Sequence, residues 1–216
     1  MLVQLWMSRP PIAIRPDASI AVAATQMDRR HVRRLLVTQD GTAGARLLGI
    51  VSAGDVARAF PPDVNPHSVV AADLRLGRTV RDVMTSHPAT VAPTTPIEEA
   101  ARILRARKVG ALPVVHGEHA VGVITESDVF RAFIEILGVE TPSVRITFDT
   151  SEGEDAFALV VELAAAYAMR VTSLLSLRHD GRSMAVVRLT GAHGARFVDA
   201  VARSGHRLVS VLVTPV

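Results

Sequence analysis

Two short motifs, Ser52-Ala53-Gly54-Asp55 and Thr125-Glu126-Ser127-Asp128, carry the residue types in this chain best suited to holding a polar ligand. In each, a carboxylate three positions after a hydroxyl can accept hydrogen bonds from two vicinal hydroxyls. The hydroxyl residue and the free backbone N–H groups of a starting helix favour an anion such as phosphate. The same Ser/Thr-x-x-Asp pattern ahead of an apolar helix is also an ordinary N-terminal cap, which requires no ligand. From the residues alone both readings stand.

The densest positive segment is Arg29-Arg30-His31-Val32-Arg33-Arg34, at the end of one expected helix and the start of a strand. It either compensates the helix C-terminus or offers planar guanidinium forks to phosphate. His116 and His119 have a spacing seen among metal ligands, but they flank a short turn with no third ligand nearby. They read as solvated turn residues, and no metal site is assigned. Gly153 lies in the loop Asp149–Glu154, where it serves a helix-entry turn or a close approach to a small ligand. Nothing combines into a nucleophile elbow, a phosphate loop or a metalloprotease spacing. A binding module is therefore expected, with no catalytic residues and no required cofactor.

The 216 residues are enough for two compact domains, and at 49% hydrophobic and 21% charged they suit a folded α/β protein and argue against a disordered chain. Without cysteine there is no disulfide scaffold, thiolate metal site or cysteine nucleophile. Lys108 is the only lysine, and 24 basic residues against 21 acidic leave a net charge of +3. That balance does not imply binding to a nucleic-acid backbone. The opening residues lack a signal-peptide pattern, and no run approaches the roughly 18 apolar residues of a membrane span. A cytoplasmic protein without a membrane partner is expected.

An internal repeat must position the motifs. Met7, Pro11, Pro16, Ile20, Ala23 and Val32 recur as Met84, Pro88, Pro93, Ile97, Ala100 and Val109, all 77 residues later. Gly49–Val56 recurs as Gly122–Val129 at an offset of 73. In the second copy, Thr95-Pro96-Ile97-Glu98 reads as a capping box with proline at the first helical position. Ile97, Ala100, Ala101 and Leu104 then mark the inner face of a helix. Ala111–Val115 and Ala120–Ile124 form a hairpin, and a helix runs from Glu126 to about Leu137. The first copy matches, with a helix through Ile20 and Met27, strands at 35–38 and 47–51, and a helix from Ala53 to Phe60. The copies span residues 1–60 and 79–140, with a linker over 61–78.

From residue 143 to 216 the pattern is strand (144–148), helix (154–168), two strands (171–177 and 184–189), helix (193–204) and strand (208–213). Gly205 would end the last helix as its C′ residue. The βαββαβ order predicts a separate α+β domain: one antiparallel sheet with both helices on one face, a ferredoxin-like split βαβ.

Val80-Arg81-Asp82-Val83-Met84-Thr85, Gly110-Ala111-Leu112-Pro113-Val114 and Gly122-Val123-Ile124-Thr125-Glu126-Ser127-Asp128 together resemble a cystathionine-β-synthase (CBS) motif. In the first copy the ending Gly49–Asp55 fits, but Val3-Gln4-Leu5-Trp6-Met7 lacks an acidic residue matching Asp82. The resemblance implies a tandem CBS pair over about residues 1–140, and the C-terminal part resembles an ACT-type regulatory domain. This order is similar to that of the acetoin-utilisation protein B group. Such pairs hold adenosine-containing ligands such as AMP, ADP or ATP in clefts between their sheets. By position, the resemblance makes Asp55 and Asp128 ribose ligands and Ser52 and Thr125 their hydroxyl partners. It makes Arg33 and Arg34 phosphate contacts, faced in the other copy by Gly110 and Ala111, and Leu112 with Pro113 part of an adenine wall. It further implies a homodimer, a regulated protein partner and an amino acid as a second ligand of the ACT-like domain. The alternative is a structural or docking protein with no nucleotide.

Overall fold

The computed structural model describes residues 1–59, 77–138, 142–152 and 156–214. Gly153 and most of the 61–78 linker lie outside the described residues. The chain divides into two compact units, Met1–Phe130 and Arg131–Val216.

In the first unit, the apolar spacing of the first copy forms helix α1 (Ile20–Arg29), which buries Ile20, Ala23, Ala24 and Met27. Ser19 caps it by accepting the Val22 N–H at 3.2 Å. Strand β1 (Ala13–Ile14) runs parallel to β2 (Arg34–Thr38), which pairs antiparallel with β3 (Leu47–Ser52) ahead of α2 (Ala53–Ala59). The fourth strand of this sheet, β4 (Thr85–Ser86), comes from the second copy. That copy continues through α3 (Ile97–Arg107), the hairpin β5 (Ala111–His116) and β6 (His119–Thr125), and into α4 (Glu126–Ile136), within which the division between the units falls.

The loan of β4 is half of an exchange. The opening turn of the second copy docks on the first, where Val80 N–H donates to the Ala18 carbonyl and Arg81 N–H to that of Pro16, both at 2.8 Å. Val80 is fully buried in the core of the first copy, with Ile14, Leu35 and Val51. At the matching positions, Val3 N–H donates to Thr95 O at 2.9 Å and Gln4 N–H to Pro93 O at 3.0 Å. Each copy thus completes the other.

The repeated glycines serve this crossing. A Cβ on Gly49 would lie 2.7 Å from the Thr85 carbonyl oxygen and 2.9 Å from the Met84 sulfur. One on Gly122 would lie 2.6 Å from the Met7 sulfur and 3.1 Å from the Ser8 carbonyl oxygen. Gly49→Ala and Gly122→Ala are each expected to destabilise the first unit by about 1–3 kcal/mol through overpacking, read by urea denaturation. Gly54→Ala, within α2 and clear of backbone, is the control. If Gly49→Ala costs no more than Gly54→Ala, close approach is not what Gly49 provides.

The capping box expected at Thr95 does not form. Pro96 is the N-cap of α3 without a side-chain hydrogen bond, and the Thr95 hydroxyl accepts the Ala92 N–H at 3.0 Å. The first helical N–H, of Ile97, instead donates to the Met1 carbonyl at 2.8 Å. Backbone from the other copy takes the place of a cap, which local sequence reading does not see.

The second unit contains β7 (Ser143–Asp149), α5 (Ala156–Ala166), β8 (Arg170–His179), β9 (Arg182–Thr190), α6 (Gly194–Arg203) and β10 (Leu208–Thr214). One antiparallel sheet has the order β10-β7-β9-β8. Both helices cover one face of it, burying Val160 and Phe197 among Ile146, Phe148, Val187 and Leu189. Gly205 follows the C-cap Ser204 at φ +82°, the left-handed conformation that glycine tolerates. The edge strands expose apolar residues, including Leu174, Val209 and Leu212. No helix among the described residues is long and apolar enough to cross a membrane.

Candidate functional site

The two hydroxyl–carboxylate motifs stand at equivalent junctions, where β3 enters α2 and β6 enters α4. Both close on themselves. Asp55 Oδ2 accepts the Ser52 N–H at 2.8 Å and the Ser52 hydroxyl at 2.6 Å, while Ser52 Oγ accepts the Asp55 N–H at 3.2 Å. Asp128 Oδ2 accepts from Thr125 N–H at 2.9 Å and from its hydroxyl at 2.7 Å, and Thr125 Oγ1 accepts the Asp128 N–H at 3.3 Å. These are reciprocal helix caps. The second oxygen of Asp55 pairs with Arg58 of the same helix. Asp128 is more deeply placed, at 6% exposure.

Each motif opens onto a cleft between the copies. The first cleft, about 310 Å³, joins Thr125 of the second copy to Ile12, Val32, Arg33 and Arg34 of the first. The second, about 320 Å³, joins Ser52 and Asp55 of the first copy to Lys108, Val109 and Ala111 of the second. Both lie at the lower end of the range for small-molecule sites. Each takes its hydroxyl from one copy and its strand entry from the other, because the exchange described above interleaves the two copies. Gly110 and Arg34 line both clefts.

Each cleft sets two cations against one carboxylate: Arg33 and Arg34 with Glu126 in the first, Arg34 and Lys108 with Asp55 in the second. Arg33 is exposed and Arg34 half-buried, and among the described residues neither guanidinium has a hydrogen-bond or ion-pair partner. Glu126 also lines the first cleft, at the start of α4. Such a lining suits a ligand carrying phosphate, which an arginine fork can hold with two donors.

Of the residues singled out from sequence, Thr125, Arg33, Arg34 and Gly110 meet in the first cleft; Asp128 is buried, hydrogen-bonded to Thr125, and does not itself line the cleft. Ser52, Asp55 and Ala111 meet in the second. Leu112 and Pro113 line neither. Leu112 has no exposed surface, and its register partner Ile124 is equally buried. Pro113 is buried and spends its carbonyl on the Val91 N–H at 3.1 Å. Both belong to the packed strand β5, and neither contributes side-chain surface to the clefts, which the expected adenine wall would require. Apolar walls come instead from Ile12 and Val32 in the first cleft and from Ile50, Pro88 and Val109 in the second. The repeat held that signal, since Pro11 with Pro88 and Val32 with Val109 are among its matched pairs. Lys108 was also missed. It ends α3 in the left-handed conformation at φ +53°, matching His31 at φ +52° in the first copy.

The sequence matches the CBS domain family over residues 3–62 and 80–135. Three solved structures show the same fold over the N-terminal part. CBSX2, a protein of Arabidopsis thaliana, has been solved in complex with AMP; it is 29% identical, with a TM-score of 0.51, covering 63% of this chain and 98% of that one. An acetoin utilization protein (AcuB) from Vibrio cholerae is 27% identical with a TM-score of 0.52, covering 65% and 95%. A third, a CBS domain pair in complex with 5′-methylthioadenosine and S-adenosyl-L-methionine, is 25% identical with a TM-score of 0.50, covering 62% and 95%.

Proposed function

Because this chain belongs to the CBS domain family, we propose that its first unit is a regulatory ligand sensor that takes an adenosine-containing nucleotide in the clefts between its two copies. The observation that carries this reading is that each cleft sets the motif of one copy, through Thr125 in the first and through Ser52 and Asp55 in the second, against a cation and an apolar residue of the other copy, Arg33 with Val32 and Lys108 with Val109. Asp55 and Asp128 accept hydrogen bonds from the ribose hydroxyls, with Ser52 and Thr125 orienting the carboxylates. Arg33 and Arg34 hold phosphate in the first cleft, and Lys108 takes that role in the second. Adenine lies against Val32 and Ile12, or against Val109 and Ile50. The AMP held by CBSX2 and the adenosyl ligands of the third structure support this ligand class.

The second unit acts as an ACT-like regulatory domain that reads the state of the first and docks an amino acid or a protein partner. Its single antiparallel βαββαβ sheet supports that reading. The exposed apolar residues of β8 and β10 support homodimerisation through its edges. The chain contributes regulation and no catalytic step. A structural protein without a nucleotide is favoured by one observation, that both motifs already close as caps and Asp55 already pairs with Arg58.

A thermal-shift panel of AMP, ADP, ATP, adenosine and S-adenosyl-L-methionine separates the two. A ligand selective for the folded state at 100 times its Kd adds about 2.7 kcal/mol of stability. A rise in the melting temperature of the first unit with at least one adenosyl compound is expected. A flat panel at millimolar ligand would leave the structural reading.

A further inference from the structure

We infer that Arg34 is a phosphate anchor shared by both clefts, so that two phosphorylated ligands compete for one guanidinium. This rests on the nucleotide reading above and specifies how its two sites communicate. Arg34 leaves the start of β2 and lines both the first cleft and the second. What lets it do so is Gly110, which also lines both. A Cβ on Gly110 would lie 2.2 Å from Nη2 of Arg34, 3.2 Å from its Cζ and 3.2 Å from Oε2 of Glu126, the carboxylate of the first cleft that a phosphate must displace from the neighbourhood of the guanidinium. The guanidinium therefore lies across the bare backbone that separates the clefts.

The repeat explains why there is one such anchor. The positions equivalent to Arg33 and Arg34, 77 residues later, are Gly110 and Ala111, so the second copy returns no arginine to its partner cleft. The first cleft has Arg33 as a cation of its own, whereas the second has Lys108, a point charge without a planar fork. A guanidinium presents its donors in one rigid plane, and bidentate grip on one phosphate fixes the direction of that plane. A phosphate in the first cleft turns Arg34 towards Arg33 and away from the second. The second phosphorylated ligand then binds with Lys108 alone. A nucleoside without phosphate makes no call on Arg34, and its two binding events are independent.

Each cleft contains one isoleucine, Ile12 in the first and Ile50 in the second, so methyl NMR reads the two occupancies separately. Titrating AMP and adenosine into the full chain, we expect Arg34→Ala to weaken AMP at least tenfold at both methyls while adenosine changes less than twofold. Arg33→Ala should weaken AMP at Ile12 only. Ser127→Trp, an exposed position that lines the first cleft alone, fills that cleft. With it, AMP at Ile50 should bind at least fivefold tighter than in the wild type with the first cleft saturated, and adenosine should not. Arg34→Lys, which keeps charge and bulk but removes the fork, should reproduce the loss if Arg34→Ala does not fold. An Arg34 effect confined to one methyl, or AMP affinity at Ile50 that ignores or gains from a filled first cleft, overturns the shared anchor and leaves the nucleotide reading intact. If neither AMP nor adenosine moves either methyl, the nucleotide reading fails and takes the anchor with it.

Discussion

Leu112→Ala is expected to destabilise the first unit by about 2–5 kcal/mol, the cost of emptying a buried leucine site that the neighbouring chain cannot collapse to fill. Leu112 is fully buried on β5, directly opposite Ile124, which is also fully buried. Its contacts are with the core and not with a cleft, so the native fraction should bind AMP within about threefold of the wild type. Urea unfolding followed by circular dichroism gives the first quantity, and calorimetry under native conditions the second. Since folded domains are stable by roughly 5–15 kcal/mol, the variant should remain measurable. Leu112→Val, which removes less volume, covers the case in which it does not. Unchanged stability with AMP affinity lowered tenfold would return Leu112 to the ligand wall.

That residue shows where sequence reading stops. The hairpin was legible because two short apolar runs flank a polar turn, but an apolar run does not say which of its side chains faces the core and which a cleft. Leu112 and Pro113 were placed in the adenine wall by resemblance, whereas burial assigns both to packing. The helices were legible for a firmer reason: Ile20, Ala23, Ala24 and Met27 recur at the helical period, and all four are buried. In the second unit the element order βαββαβ and the glycine after α6 were legible, and the described residues form one antiparallel sheet with both helices on one face.

The exchange between copies was not legible, although its residues were. Met7 and Met84 stood out as a matched pair, yet nothing local says that each packs against the glycine of the other copy. Val80 likewise fills the core of the first copy from the start of the second. Long-range docking leaves no periodic trace, and it is what builds the clefts. For the same reason Arg33 and Arg34 were found as a charge cluster, but the contact of Arg34 with both clefts was not. The motifs at Ser52 and Thr125 supported two readings; the closed caps are what the structural one requires, and the nucleotide reading needs the clefts beside them as well. On the proposed reading, a carboxylate fixed through Oδ2 by its own hydroxyl partner is oriented in advance of the ligand.

The most direct measurement of the central claim is calorimetric titration of AMP into the wild-type chain and into the double variant Asp55→Ala, Asp128→Ala. On the proposed reading each substitution removes a charge-assisted hydrogen bond to ribose, worth about 1.5–3 kcal/mol, or roughly 10–150-fold in affinity at its own cleft. Each also removes a helix cap at a cost of about 0.5–2 kcal/mol in stability, so circular dichroism must first show that the variant is folded at the titration temperature. The account predicts binding to the wild type and loss of at least tenfold in affinity at both clefts in the double variant, with adenosine weakened to the same degree because the lost contact is to the sugar. A folded double variant that binds AMP as tightly as the wild type would contradict it, leaving Asp55 and Asp128 as helix caps alone.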